Sequence, residues 1–151
     1  GGKNPDDFKH ISFIVYLAHS LQTLSVEIIG CCEVIEERLD VSPRPNFDFT
    51  VSERERRKNA RPRPVIENLC VKREYRQSGV GIALVQACEK AVQLWPGYDE
   101  IFAQVEDGNA KASHLFRKWG YQSLFADPTC TEVVLNSALF GKEVMVTKWM
   151  M

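Results

Sequence analysis

The sequence predicts an α/β protein, a single domain over residues 1–151, built on a mixed β-sheet. Between Pro64 and Trp119 a strand pattern is twice followed by a helix pattern, an order that favours parallel strands in the middle of a sheet. Strand-like segments on both sides of this stretch indicate antiparallel pieces at the two ends. The chain has 151 residues, 44% of them hydrophobic, which is enough for one core.

Two segments near the start of the chain predict an antiparallel strand pair. "HISFIVYLA" (10–18) is rich in β-branched and aromatic residues, "VEIIGCCEVIEERL" (26–39) follows it, and polar "HSLQTLS" joins them. A helix is the rival for the first segment, because Asn4 is a good N-cap residue and Pro5 fits a first helical turn. That segment could begin, or even continue, as a helix; beyond Ile11 we favour the strand.

Residues 40–63 predict a long charged loop. Four prolines bracket the run "ERERRKNARPR" at 53–63. Its six basic residues could contact an acidic partner, but Glu53 and Glu55 interrupt them. A solvated loop is therefore the favoured interpretation.

The remaining elements alternate along the rest of the chain. The pattern predicts strands at 64–71, 100–106, 121–125 and 144–150, and helices at 80–95 and 109–119. The first helix carries its apolar residues at the spacing of helical turns: Leu84, Ala87, Cys88, Ala91, Leu94 and Trp95. "PG" at 96–97 ends this helix, and Gly120 ends the second one as a C-terminal cap.

Composition and charge argue against several classes of protein. The net charge of −1 and a pI of about 6.4 do not suggest a nucleic-acid-binding surface, and no apolar stretch reaches the ~18–20 residues of a membrane helix. The five cysteines show no CxxC pair and no metal-like spacing with histidine, so no metal site is expected. Buried reduced thiols favour a soluble intracellular protein, in the cytoplasm or an organelle. The opening "GGKNPDD" would also fit a chain whose targeting segment has been removed.

The stretch "RQSGVG" at 76–81 places two glycines at the start of the first predicted helix. Glycines let consecutive backbone N–H groups converge, and the helix N-terminus adds a partial positive charge at the same point. Lys72, Arg73 and Arg76 bring formal positive charge next to it. The predicted ligand is a phosphate or, better, a diphosphate.

Two familiar phosphate-binding motifs do not fit this turn. A P-loop needs GxxxxGK[ST], and neither Lys-Ser nor Lys-Thr follows here. The dinucleotide fingerprint needs a third glycine, where this chain has Leu84. A GxG pair alone is a weak signal, because a close strand–helix turn would use it too.

Two motifs together resemble the GNAT superfamily of acetyl-CoA-dependent N-acetyltransferases. "RQSGVG" resembles that family's diphosphate loop, [QR]-x-x-G-x-[GA]. The second predicted helix is similar to the family's N-x-x-A-x-x-L-Y-x-K-x-G-[FY] pattern. The residues that align with this pattern are Asn109, Ala112, Leu115, Phe116, Lys118, Gly120 and Tyr121. The resemblance covers residues 64–125 well, and the "ADP" segment with the last strand is more weakly similar to plastid-type acetyltransferases of plants and algae.

The resemblance implies a GNAT-like acyltransferase fold with helices on both faces of the sheet and acetyl-CoA as cosubstrate. Its parallel middle strands would splay apart around the thioester, and the pantetheine arm would pair with the main chain of the preceding strand as an added strand. The implied contacts are Leu69, Cys70 and Val71 for the arm, Arg76, Gln77, Ser78, Gly79, Val80, Gly81 and Ile82 for the diphosphate, and Asn109, Ala112 and Phe116 on the far side of the arm.

Acetyl transfer needs a neutral amine, a polarised thioester carbonyl and a protonated leaving thiolate. Glu67 is the candidate base, since a carboxylate inside "VIENLCV" is unexpected unless it reaches a polar cleft. The alternative is a carboxylate on a solvated face or paired with an arginine. Gln104 could order a water or the substrate, and Glu106 is a second candidate base that could simply point to solvent. A backbone N–H near Cys70 and Val71 would serve the carbonyl oxygen.

One residue departs from the family pattern. Phe116 stands where the family usually has the tyrosine credited with protonating the CoA thiolate. A phenyl ring can pack beside the thioester but cannot donate a proton, so a water or another side chain would have to do so, or turnover would be slow. Tyr121 is interpreted as a core residue rather than a substitute acid.

The acceptor is the least determined part of the reaction. Only 25 residues precede "VEIIG" here, whereas in the family that this chain resembles the fold normally begins with a strand and one or two helices that form a wall of the acceptor pocket. The expected acceptor is a primary amine of a protein N-terminus, a lysine or a small molecule, with a homodimer as one way to complete the wall. No nucleic-acid or membrane partner is expected. The alternatives are a non-catalytic acyl-CoA-binding regulatory module and, less favoured, a nucleic-acid binder that uses the loop at 54–63.

Overall fold

The structure, a computed structural model, describes residues 9–20, 25–40, 58–106, 109–127 and 142–148. Within these residues the protein is of the α/β class, with six strands and two complete helices; residues 58 and 59 are also helical. The strands are β1 (His10–Ser20), β2 (Ser25–Leu39), β3 (Arg61–Val71), β4 (Glu100–Glu106), β5 (Gln122–Asp127) and β6 (Lys142–Lys148). The helices are α1 (Val80–Gln93) and α2 (Ala110–Lys118). In this part of the chain no helix is long and apolar enough to cross a membrane.

The chain folds as two compact units. The first contains β1, β2 up to Glu36, β3 from Pro64, and α1, with its strands in the order β1-β2-β3. The second contains β4, α2, β5 and β6, together with the short ends of β2 and β3.

The antiparallel pairing of β1 and β2 is confirmed. His10 lies opposite Ile35 and Ser20 opposite Ser25, with irregularities in register after Val15 and after Ala18. The segment is a strand from His10 onward, so the helical alternative is wrong there; residues 1–8 lie outside the described part of the chain.

Helix α1 packs against β2, where Cys88 meets Cys32 and the side chains of Val80 and Leu84 approach Gly30, and it also contacts β1. Its buried residues are Leu84, Val85, Cys88 and Val92. The predicted face was correct for two of these, but Leu94 is 85% exposed, because the helix ends at Gln93 and not at the predicted Trp95. The N–H groups of Leu94 and Trp95 then bond to carbonyls three residues back, which tightens the end of the helix and turns Leu94 outward.

Cys32 of β2 and Cys88 of α1 meet in the core of the first unit. Both are buried, their sulfur atoms are 3.6 Å apart, and neither is in a disulfide. The contact with Cys88, together with burial, raises the pKa of the Cys32 thiol far above its usual 9.0. The prediction of buried reduced thiols is confirmed for this pair.

The second unit has the strand order β4-β6-β5, with both pairings antiparallel. The last strand therefore lies between the two that precede it in sequence, which the sequence did not indicate. Helix α2 begins where the Asn109 side chain accepts a hydrogen bond from Ala112 N at 3.2 Å and ends before Gly120, whose φ is +93°. Both predicted ends of this helix are correct to within a residue.

The predicted loop over 40–63 needs a correction at its C-terminal end. Residues 58 and 59 are helical. Residues 61–63 already belong to β3, where Arg63 pairs with Glu100 and lies 5.4 Å from the ring centroid of Phe102. The extension has a physical cause, because a partner carboxylate and an aromatic ring make an extended, half-buried arginine favourable. Residues 41–57 lie outside the described part of the chain.

The thiol pair gives a test of the fold. In folded protein at pH 8, we expect iodoacetamide to alkylate exposed Cys70 first and to leave Cys32 and Cys88 intact until denaturant is added. The pKa of Cys32 is raised only in the folded state, so with rising pH the thiol ionises first in the unfolded chain. We therefore expect the free energy of unfolding to stay constant with respect to this group below pH 9 and to fall above it. Peptide mass mapping and urea titrations at several pH values measure both effects. Equal labelling of Cys32 and Cys70 in native buffer would contradict the packing of this core.

Candidate active site

The chain between β3 and α1 makes a tight, hydrogen-bonded reversal. Lys72 N donates to Ile29 O of β2 at 2.7 Å, so the end of β3 is held against β2. A short 3₁₀ turn over Arg73–Tyr75 follows. Gln77 and Gly79 then take left-handed backbone conformations, with φ of +62° and +87°. Gly79 is the N-cap of α1, where an L side chain would be strained.

This reversal leaves a row of amide donors without backbone acceptors. The backbone hydrogen bonds of the described turn stop at Arg76 N to Arg73 O, 3.3 Å, and resume at Ala83 N to Gly79 O, 3.1 Å. The six residues between these donors, 77–82, are the ones the sequence predicted for a diphosphate. The N–H groups of a first helical turn have no intrahelical acceptor and carry the positive end of the helix dipole. The turn can therefore hold a multiply charged anion.

The charged side chains of the turn are arranged differently from the prediction. Lys72 pairs with Glu27 of β2, and this hydrogen bond raises the pKa of the Lys72 ammonium group. Tyr75 OH donates to the same carboxylate at 3.3 Å, and desolvation and the nearby charge raise the pKa of Tyr75. Arg76 donates through Nε to Val71 O at 2.9 Å. Lys72 and Arg76 thus brace the turn, whereas Arg73 is exposed beside it.

The C-terminal half of β3 contains the candidate base and the predicted pantetheine strand. Glu67 is half-buried, and among the described residues its carboxylate has no hydrogen-bond or ion-pair partner. Leu69 and Val71 are half-buried and Cys70 is exposed. The alternative of an arginine-paired Glu67 thus finds no support in the described residues.

Asn68 interrupts this strand in a way that the sequence analysis missed. Its φ is +52°, a left-handed conformation inside β3, and its side-chain amide donates to Glu33 of β2. An asparagine within an apolar strand was the available signal, since asparagine tolerates this conformation better than other residues with side chains.

The second unit contains the other predicted site residues. Gln104 is half-buried in β4 and lies opposite Val144 of β6. Asn109 uses its side-chain oxygen to cap α2, and Ala112 is half-buried on the first turn. Glu106 ends β4. The roles of these residues toward a ligand stay predictions.

Phe116 lies in an aromatic cluster of the second unit. It is buried on α2 with its ring centroid 5.4 Å from that of Trp119 and 5.1 Å from that of Tyr121, both edge-on. Tyr121 is buried as well, which agrees with its interpretation as a core residue.

The sequence matches the model of a known family over most of its length. The model of the acetyltransferase (GNAT) family matches residues 10–121. The chain belongs to this family. A curated relative, an N-alpha-acetyltransferase of Sulfurisphaera tokodaii, is 30% identical over 59 residues, which are 39% of this chain. The match spans 35% of the length of that relative.

Solved structures of acetyltransferases share the fold of this GNAT chain. Arabidopsis thaliana NAA60 in complex with a bisubstrate analogue has a TM-score of 0.67 at 19% identity, over 93% of this chain and 77% of that one. Nourseothricin acetyltransferase has a TM-score of 0.64 at 19% identity, over 96% and 68% of the two chains. The predicted GNAT-like fold is confirmed.

Replacing Gly79 tests the reversal. We expect Gly79→Ala to lower the free energy of unfolding by about 1–2 kcal/mol, since its φ is left-handed although a Cβ would meet no neighbour within 4 Å. We also expect weaker binding of coenzyme A, measured by isothermal titration calorimetry. Gly97→Ala is the matched control, because Gly97 has φ of +85° and equally open space but lies beyond the far end of α1. Equal loss of binding in both variants would contradict a ligand role for the turn.

A side chain at Gly30 would affect the same turn from behind. A Cβ there would lie 3.0 Å from Val80 Cγ1, 3.1 Å from Leu84 Cδ1 and 3.2 Å from Cys70 O. We expect Gly30→Ala to cost about 1–3 kcal/mol of stability, by overpacking, and to displace the start of α1. Thermal melts and amide chemical shifts of 77–82 report the two effects. Ile28→Ala, at an exposed position of the same strand, should change neither.

Proposed function

We propose that this protein is an N-acetyltransferase that transfers the acetyl group of acetyl-CoA to a primary amine. The observation that carries the proposal is the row of six amide donors at 77–82, which fits a diphosphate at the start of α1. Membership of the GNAT family supports the same cosubstrate. A related solved structure, of Arabidopsis thaliana NAA60, is in complex with acetyl-CoA.

The main chain at the end of β3 would hold the pantetheine arm. Leu69, Cys70 and Val71 lie between Glu67 and the diphosphate turn, so an arm that leaves the turn can run along them. Arg76 bonds to Val71 O and therefore fixes the junction of the two segments. The arm would add main-chain hydrogen bonds in the manner of an extra strand.

Glu67 is proposed as the group that takes the proton of the attacking amine. Acetyl-CoA supplies a thioester, whose C–S bond breaks as the new C–N bond forms. The amine must lose a proton to become or remain a neutral nucleophile. A half-buried carboxylate that has no other partner among the described residues can accept this proton directly or through a water. A backbone N–H near Cys70 or Val71 would stabilise the negative charge on the carbonyl oxygen. Gln104 is proposed to order the water or the amine.

The leaving thiolate must gain a proton from a group other than Phe116. That ring is buried with Trp119 and Tyr121 and has no proton to donate. A thiol with a pKa of about 8.5 is a fair leaving group, so a water can supply the proton. The transfer is therefore proposed to depend on a side chain that takes the proton of the amine more than on one that protonates the thiolate.

The α-amine of a protein or peptide N-terminus is the favoured acceptor class, ahead of lysine and small amines. A model α-amino group has a pKa of about 8 and lysine about 10.4, so at neutral pH the α-amine is neutral about two hundred times more often. The relative from Sulfurisphaera tokodaii is an N-alpha-acetyltransferase, which agrees with this order.

An intracellular compartment is also part of the proposal. Cys31, Cys32, Cys70 and Cys88 are all free, as is usual in a reducing compartment. The plastid and the homodimer stay predictions.

A non-catalytic acyl-CoA-binding module is the second candidate function. Phe116 favours it, because the hydroxyl that the family usually has at this position is missing. Such a module would bind coenzyme A as an enzyme does but would release no thiol.

A thiol-release assay separates the two functions. We expect release of CoA thiol from acetyl-CoA with peptides that have a free α-amine, and less with N-terminally blocked, lysine-containing peptides. Glu67→Gln should lower kcat by about 10²-fold, the usual contribution of a general base, with little change in the KM for acetyl-CoA. Asp99→Asn, at an exposed position, is the control and should retain full activity. Binding of acetyl-CoA without thiol release from any amine would favour the non-catalytic module.

A further inference from the structure

The left-handed residue in β3 is stabilised from the neighbouring strand. Asn68 has φ of +52°, which costs free energy for any residue with a Cβ and persists only when the surroundings hold it. Its side-chain amide donates to Glu33 Oε1 of β2. Its carbonyl accepts a long contact, 3.7 Å, from Cys31 Sγ of the same strand. Both contacts come from the face of β2 opposite to the one that α1 covers.

Glu33 is itself fixed by a second partner. Its other oxygen, Oε2, lies 2.6 Å from His10 Nε2 on β1. The carboxylate therefore links three strands, with one oxygen toward β1 and the other toward β3. Because both oxygens of the Glu33 carboxylate are bonded, its orientation toward Asn68 is fixed.

The conformation of Asn68 determines what its two neighbours present. Before it, Pro64, Val65 and Ile66 are all buried; after it, half-buried and exposed residues alternate. A left-handed residue inside a strand turns the chain locally and changes the direction of the side chains that flank it. Here the flanking residues are Glu67, the proposed base, and Leu69, the first residue of the proposed pantetheine strand.

We propose that Glu33 is a positioning residue, which holds Asn68 in its left-handed conformation and thereby aims the Glu67 carboxylate and the main chain of Leu69–Val71. The inference rests on the proposed function, and it adds a residue on another strand to the site. Glu33 acts through Asn68 and need not contact the substrates.

Three variants separate this role from general destabilisation. Glu33→Ala removes the acceptor; Asn68→Gly removes the side chain but makes the left-handed conformation inexpensive; the double variant combines them. We expect Glu33→Ala to lower kcat/KM for acetyl-CoA by about tenfold, in line with the loss of one charge-assisted hydrogen bond. The double variant should return to within about threefold of wild type, because glycine no longer needs the carboxylate. His10→Ala removes the partner of Glu33 on β1 and leaves the acceptor for Asn68 in place, so its kcat/KM should fall less than that of Glu33→Ala.

Amide chemical shifts of Leu69, Cys70 and Val71 give a readout that does not depend on turnover. In Glu33→Ala they should move, and in the double variant they should return to the positions of Asn68→Gly alone. If the wild-type protein released no thiol but the shifts behaved in this way, the proposed function would fail and the positioning role would stand. A double variant as impaired as Glu33→Ala, in both rate and chemical shifts, would overturn the inference.

Discussion

The close approach of β2 to the junction of β3 and α1 is the constraint on which the candidate site depends. Gly30 has no side chain, and a Cβ there would come within 3.0–3.2 Å of the start of α1 and the end of β3. With Ile29 O also bonded to Lys72 N, both ends of the connection are held against one strand. The chain must therefore reverse over a short, fixed span, which requires the left-handed Gly79. The row of unsatisfied amides is thus a consequence of packing behind the turn as much as of the glycines within it.

Strand β2 serves the site with both of its faces. Gly30, Cys32 and Val34 are buried on the face toward α1 and fix the helix that begins at the turn. Glu33, on the other face, holds Asn68. One strand can contact both groups because its successive side chains point to opposite sides of the sheet. The proposed diphosphate turn at 77–82 and the bend at Asn68 are therefore set by one segment, although Asn68 lies within β3 and the turn lies beyond its end.

Local features of this chain were predictable from the sequence, and contacts between distant segments were not. The start of α1 and both ends of α2 follow from Gly79, Asn109 and Gly120, whose chemistry acts within a few residues. The insertion of β6 between β4 and β5 depends on pairing over long sequence separations, which no local pattern reveals. The same holds for Lys72, which looked available for an anion and instead pairs with Glu27, 45 residues away. The sequence shows which charged residues lie in the turn, whereas only the fold shows which of these side chains are already paired within the protein.

Phe116, which departs from the family pattern, lies in the second unit, whereas the turn proposed to bind the diphosphate and the proposed base Glu67 both lie in the first. The proposed anion site consists of backbone amides at 77–82, which no side-chain substitution in the second unit removes directly. Phe116, by contrast, is enclosed by Trp119 and Tyr121. A hydroxyl added to a buried ring needs a hydrogen-bond partner, and without one it costs about 1–3 kcal/mol. A phenylalanine at this position therefore favours the stability of the aromatic cluster, while the proton for the leaving thiolate can come from water. The chain can therefore lack the usual acid and still keep the two features on which the proposed transfer depends. These are the amides at 77–82 and Glu67, whose carboxylate has no partner among the described residues.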